Sequence, residues 1–171
     1  ELKVPVVNDK QENLDFSRAD AMLDKILEWN NANPNDKIRV RGHVLVWHSQ
    51  TPEWFFHEDY DVAKPYADKG TMNRRLEWFI FSVFDHYFGK AANGKYDGLF
   101  YGWDVVNEAV NDDGTMRTSS NWYKVYGDAG YVTDAFTFAR KYADKDVKLF
   151  LNDYNEYAAA KRDRIYQVVK D

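Results

Sequence analysis

The sequence contains no cysteine, which excludes a disulfide framework and any thiolate metal site while leaving the redox compartment open. It has no surplus of basic charge either. Its 23 Lys and Arg stand against 28 Asp and Glu, for a formal net charge of -5, and the cations are scattered, so the electrostatic footprint that nucleic acid demands is missing. No apolar run approaches the roughly 18 residues of a membrane span. There is no internal repeat, low-complexity tract or Gly/Ser linker. An initiating Met is lacking too: the chain opens at Glu1 and reads as a processed, excised or partial sequence.

What is present points to one domain, 1–171. A chain of 171 residues with 44% hydrophobic content can bury one sizeable core and is short for two. Aromatics are abundant, with 6 Trp, 12 Tyr and 11 Phe, and such rings often line grooves that stack on flat ligands or sugars. The segment "FSRADAMLDKILEWNN" predicts a helix from Ser17 to Asn31, with Ser17 as N-cap and Asp20 at the capping-box position. "KIRVRGHVLVWH" predicts a strand from Ile38 to Trp47, rich in β-branched residues, with Gly42 where the backbone bends or is closely approached. "TMNRRLEWFIFSVFDHYFGK" places Leu76, Phe79, Ile80, Val83, Phe84 and Tyr87 on one helical face and ends at Gly89.

The pattern then repeats. "GLFYGWDVVNEAV" predicts a strand, "GTMRTSSNWYKVYG" a loop and short helix, and "VTDAFTFARKYADKD" a helix capped by Thr133. "VKLFLNDYNEY" predicts a third strand and "AAAKRDRIYQVVKD" a last helix. Strands alternating with helices argue for parallel βαβ units. Polar residues gather at the strand ends: His43, Trp47, His48 and Gln50 on the first, Asn107 and Glu108 on the second, Asn152, Asp153, Tyr154 and Asn155 on the third. In a βα barrel such ends form the active-site face. A complete barrel takes roughly 250 residues, so about three βα units form part of one and leave two sheet edges unpaired.

A Glu at the end of a buried apolar run, as in "WDVVNEAV" (Trp103 to Val110), is costly unless paired, hydrogen-bonded or used in chemistry. The alternatives for Glu108 are catalysis or a strand-end carboxylate held by a neighbouring Lys or Arg. His43 and His48 read as satisfied core or loop histidines or as ligands, but a metal site would need a third ligand, and no HExxH occurs. His57 and His86 carry no functional assignment, His86 being placed on a helix surface.

Together, "VRGHVLVWHSQTPEW", "WDVVNEAV" and "LFLNDYNEY", in this order and at these separations, resemble the glycoside hydrolase family 10 endo-1,4-β-xylanases. "ELK" resembles the tail of the family's strand-2 motif and "LDFSRADAMLD" the segment after it. The resemblance covers nearly the whole chain, from just after barrel strand 2 to the helix after strand 5. It implies an α/β fold, a partial (β/α)8 barrel covering about strands 3 to 5, and retaining hydrolysis of internal β-1,4 bonds of xylan. Matched residue by residue, Glu108 is the general acid/base. By the same matching Asn107 hydrogen-bonds a sugar 2-hydroxyl, His43, Trp47 and Gln50 line the subsites next to the bond on the non-reducing side, Lys3 is a sugar-contacting Lys, and Asn152 and Tyr154 belong to the signature beneath the site. No cofactor and no metal are implied, since two carboxylates suffice for this chemistry. The partners implied are xylan and xylo-oligosaccharides, with no nucleic acid. A polymeric substrate implies an extracellular or cell-surface location.

Two departures from the family pattern bear on activity. The family nucleophile is a Glu on barrel strand 7, and no such segment occurs here. Asp153 reads as a structural carboxylate and Glu156 as a weak substitute. "VPVVNDKQEN" after Lys3 departs from the family spacing. The chain alone therefore has two further readings: a non-catalytic carbohydrate-binding half-barrel, or a piece completed by a complementary chain or a second copy.

Overall fold

The computed structural model describes residues 14–170. Helix α1, Ser17–Ala32, faces inward through Ala19, Leu23 and Asn30. It starts at Ser17, so the cap position falls one residue earlier than expected, on Phe16, and the Ser17 N–H is satisfied by Asp15 Oδ1 at 2.9 Å. Asp20 does not close a capping box: its two oxygens lie 3.0 Å from His86 Nε2 on the neighbouring helix. The His86 ring stacks on Phe16 with centroids 4.0 Å apart, so His86, expected on a helix surface, is half-buried in the packing beside the start of α1, its side chain 31% exposed.

Strand β1, Val40–Trp47, begins two residues later than its β-branched pattern predicts. Asn30 supplies the reason: its Nδ2 donates to Ile38 O at 2.8 Å and its Oδ1 accepts from Ile38 N at 2.7 Å. One side chain thus takes both backbone groups that a strand neighbour would have used. Asn30→Ala leaves both without that partner, and loss of about 1–3 kcal/mol of unfolding free energy is expected in a urea titration.

Helix α2, Lys69–Phe88, buries the six apolar residues expected of it together with Met72 and Arg75. Asp68 caps it, accepting from Thr71 N at 2.9 Å. Strand β2, Phe100–Asn107, is buried almost throughout, as a strand covered on both faces should be. Helix α3, Asn121–Tyr126, is capped by Ser120 and ended by Gly127 at φ 74°. Helix α4, Gly130–Tyr142, starts three residues before Thr133. Thr133 is therefore inside the first turn, and Asp128 Oδ1 accepts from Gly130 N at 2.7 Å instead. Strand β3, Lys148–Asn152, and helix α5, Ala159–Lys170, complete the order.

The sheet runs β1-β2-β3, all parallel. Trp47 pairs with Asn107 and Asn107 with Asn152, so the three carboxyl ends finish level. This register brings the polar strand ends side by side. The outer edges of β1 and β3 are unpaired among the described residues, as expected of an incomplete barrel. The core lies between α2 and the sheet, around the fully buried Trp103, which meets Phe84, Tyr87 and Phe100. No described helix is long and apolar enough to cross a membrane.

Candidate active site

Glu108 is the first residue past β2, and its φ of 56° turns the chain out of the sheet. A non-glycine residue in the left-handed region is uncommon and persists where its surroundings over-determine it. Three contacts do so. Glu108 N donates to Asn152 O at 2.8 Å, while Arg117 Nε donates to Glu108 O at 2.8 Å. Arg117 N also reaches Ala109 O at 2.9 Å.

The Glu108 carboxylate accepts from Trp47 Nε1 at 2.9 Å and lies 3.8 Å from His48 Nδ1. No Lys or Arg pairs with that carboxylate among the described residues. Its side chain is 21% exposed, which leaves it reachable from outside.

Asp104, on the same strand, organises the polar side chains of its neighbours. Arg41 Nε donates to Asp104 Oδ1 at 2.7 Å and Arg41 Nη2 reaches the same oxygen. His43 Nδ1 lies 3.0 Å from Asp104 Oδ2. A carboxylate can only accept, so Nδ1 carries the proton and Nε2 of the neutral ring is left as an acceptor. Arg41 Nη2 continues to Asn152 Oδ1 at 3.1 Å, and Asn152 Nδ2 donates to Asn107 Oδ1 at 2.8 Å. The Asn107 carboxamide, on a residue only 3% exposed, is thereby oriented: with its oxygen occupied, its NH2 group is the end left to donate.

Trp47, His48, Asn107, Glu108 and Asn152 thus form one contiguous group, and His43 joins it through Asp104 and Arg41. Trp47 is held by more than its pairing with Glu108: its carbonyl accepts from Thr51 Oγ1 at 2.7 Å and from Trp122 Nε1 at 3.2 Å. Gln50 lies in the turn after β1, exposed and at φ 62°. Tyr154 follows β3, 43% exposed. Lys3 lies outside the described residues. Asp153 is structural, as expected, its side chain 1% exposed and 2.8 Å from Lys161 Nζ.

Sequence reasoning missed Arg41, Asp104, Arg117 and Lys161. Asp104 stood inside the quoted "WDVVNEAV" and alternation along a strand could have aimed it at its neighbours. Arg117 and Lys161 had no comparable signal, since a lone cation in a loop or helix does not reveal a partner distant in sequence.

Burial, with the Arg117 charge, pushes the His48 imidazole below its usual 6.5. His57 moves the other way, raised from 6.5 by the hydrogen bond between its ring and Lys64 O and then by Glu53. The linkage signs are opposite. A depressed histidine costs stability as pH falls below 6.5 toward its folded value, whereas a raised one contributes stability below 6.5 and loses it as pH rises through its folded value. NMR titration of the four histidines should place His48 below 6.5 and His57 above it.

The chain is similar to known proteins in sequence and in fold. The family model "Glycosyl hydrolase family 10" matches residues 1–171. A provisionally assigned endo-1,4-β-xylanase of Caldicellulosiruptor saccharolyticus is 54% identical over 134 residues, 78% of this chain and 41% of that protein. Endo-1,4-β-xylanase B of Butyrivibrio fibrisolvens is 44% identical over 153 residues, 86% of this chain and 23% of that protein. Among solved structures, an intracellular xylanase of Thermoanaerobacterium saccharolyticum, in complex with xylotriose, superposes with a TM-score of 0.82 at 35% identity, covering 99% of this chain and 48% of that one. This chain therefore spans less than half the length of these relatives. Their fold is the closed (β/α)8 barrel, of which the three-stranded parallel sheet is an open part. Because the family model matches residues 1–171 of the chain, the chain belongs to glycosyl hydrolase family 10.

Proposed function

We propose that this chain carries the acid/base half of a retaining endo-1,4-β-xylanase site. The observation that carries the reading is Glu108 itself: a reachable carboxylate at a strand end, held by an indole N–H and not neutralised by a cation among the described residues. Glu108 protonates the leaving oxygen of the glycosidic bond, and its carboxylate then takes a proton from the water that hydrolyses the glycosyl-enzyme. Asn107, whose oxygen is occupied by Asn152, donates to the sugar 2-hydroxyl. His43 accepts from a hydroxyl through Nε2, while Trp47 offers an apolar ring face. Lys3, Gln50, Asn152 and Tyr154 complete the sugar-contacting set.

Retention also needs a nucleophilic carboxylate about 5–5.5 Å from the acid. Asp104 is engaged by Arg41 and His43, and Asp153 by Lys161 and two backbone N–H groups. Neither can attack. Together with the family resemblance, this supports a nucleophile on a barrel strand outside this chain, in a remainder of the polypeptide or a complementary chain, with Glu156 the weaker candidate within it. The edges of β1 and β3, unpaired among the described residues, favour a second reading for the chain by itself, an assembly-dependent half-barrel that binds xylan without cleaving it.

Reducing-sugar release from xylan by the chain, alone and combined with a polypeptide supplying the other strands, separates the two. Activity only in the combination, and its loss with Glu108→Gln, supports the half-site. Full activity of the chain alone would overturn it. A polymeric substrate supports an extracellular or cell-surface location, although the related Thermoanaerobacterium saccharolyticum xylanase is described as intracellular. Immunodetection on intact cells of the source would decide the compartment.

A further inference from the structure

We propose that Lys161 is a positioning residue of the sugar site: one buried ammonium that fixes the Tyr154 ring and ties the backbone after Glu108 to the end of β3. The proposal rests on the reading of Tyr154 as a sugar contact. Lys161 is the one buried residue of α5, with its side chain 0% exposed. A lysine in that position is costly unless its charge is compensated. Here the compensation is complete. Nζ lies 2.8 Å from Asp153 Oδ1, 2.9 Å from Asp112 Oδ1 and 3.7 Å from the centroid of the Tyr154 ring. Two carboxylates and one aromatic face match the three donors of an ammonium group. Burial opposes the charge, but the carboxylates outweigh it and hold the ammonium above its ordinary range.

What these partners hold explains why a charge is used. Asp153 also accepts from Tyr154 N at 2.9 Å and from Val110 N at 3.3 Å, two residues beyond Glu108. Asp112 receives Asn155 Nδ2 at 3.3 Å. The first turns of α5 close on the same loop: a Cβ at Gly114 would stand 2.7 Å from Ala160 O, and Arg164 Nε donates to Gly114 O at 3.0 Å. Lys161 is thus the point where α5, the loop after the acid/base strand and the end of β3 meet. An apolar residue could hold the helix, since well-packed replacements of buried ion pairs are often no less stable. It could not orient Asp153 toward two N–H groups and support one face of an exposed tyrosine at once. With that face on the ammonium, the opposite face is presented to a sugar ring in a preorganised geometry, which lowers the ordering cost of binding.

The test uses xylotriose and the 171-residue chain. The double variant Lys161→Met/Asp153→Asn removes both charges of the buried pair while keeping the acceptor for the Tyr154 N–H. It should stay folded, at a lower urea midpoint because the Val110 N–H loses its acceptor, yet bind xylotriose about tenfold more weakly under conditions where it is fully folded. In a Tyr154→Leu background the same pair of changes should add no further loss. Wild-type affinity in the double variant, or a full tenfold loss repeated in the Tyr154→Leu background, overturns the proposal. A second measurement needs no Lys161 variant. The ring current of Tyr154 should shift the Lys161 ε-methylene protons upfield by NMR, and Tyr154→Leu should return them to their ordinary position; no upfield shift overturns the contact. If the wild-type chain does not bind xylotriose, it is the sugar-site reading that fails, and the ring-current result still decides whether Lys161 fixes the ring.

Discussion

Glu108→Gln, in the chain assembled with the remaining strands of the barrel, is expected to lower kcat on xylan by about 10²–10⁴-fold, the range that a positioned general acid/base contributes. The substitution is nearly isosteric, and the amide oxygen can still accept from Trp47 Nε1. No ion pair with Lys or Arg is lost, because none holds Glu108 among the described residues, so folding should be little changed. That separates chemistry from structure. An aryl xyloside with an acidic leaving group needs no proton from the enzyme to break its bond, so its first step should be spared in the variant while the water-dependent second step slows. Steady-state kinetics on xylan and on such an aryl xyloside, with a burst of the released phenol as the signature, check this. Equal losses on both substrates, with no burst, would instead mark Glu108 as a structural residue.

The same comparison bears on Trp47. Its indole cannot serve only as an apolar wall, because Nε1 is committed to Glu108. In the proposed site, the side chain that offers a sugar ring a flat face also aims the Glu108 carboxylate. Arg117 acts one step further back, gripping the Glu108 carbonyl and so stabilising the left-handed turn that points the carboxylate outward.

How far the sequence foretold this differs from element to element. Helix α2 was legible because eight buried residues recur at helical spacing and Gly89 closes it. The strands were legible as apolar runs, and their polar ends lie side by side because register makes those ends finish level. Boundaries failed where a side chain replaced a backbone partner. Asn30 took the hydrogen bonds of Ile38 and shortened β1, and Asp128 rather than Thr133 satisfied the start of α4. The packing of His86 was not legible because its partners, Phe16 and Asp20, lie far away in sequence at the cap and first turn of α1. Glu108 could be picked out from its cost in an apolar run. The cations that support the site could not, since Arg117 and Lys161 owe their roles to distances that no local pattern encodes.

Gly42→Ala is expected to be among the most damaging single substitutions in the chain, lowering the unfolding free energy by about 3 kcal/mol or more, the upper end of what overpacking usually costs. A Cβ at residue 42 would stand 2.2 Å from Trp103 Cδ2 and 2.4 Å from Cε2, distances that no rotamer adjustment of alanine can relieve. Gly42 and Trp103 are register partners on β1 and β2, and the indole lies across the glycine, which is the close approach that a glycine within a strand suggests. Trp103 is fully buried against Phe84, Phe88 and Phe100, so it has nowhere to move. Trp103→Leu by itself opens a cavity and should also destabilise. Combined with Gly42→Ala, it removes the ring that the methyl group strikes. The double variant should therefore be more stable than the two single effects added together, a coupling of the kind that contacting residues show. Urea midpoints of the four proteins measure it, and strict additivity would mean that the indole does not rest on Gly42. The consequence reaches the chemistry: His43 follows Gly42 on β1 and Asp104 follows Trp103 on β2, and these two are hydrogen-bonded at 3.0 Å. Forcing the strands apart at this pair should loosen the His43 tautomer lock before it touches Glu108, and the sugar affinity of the Gly42→Ala chain should fall even under conditions where it remains folded.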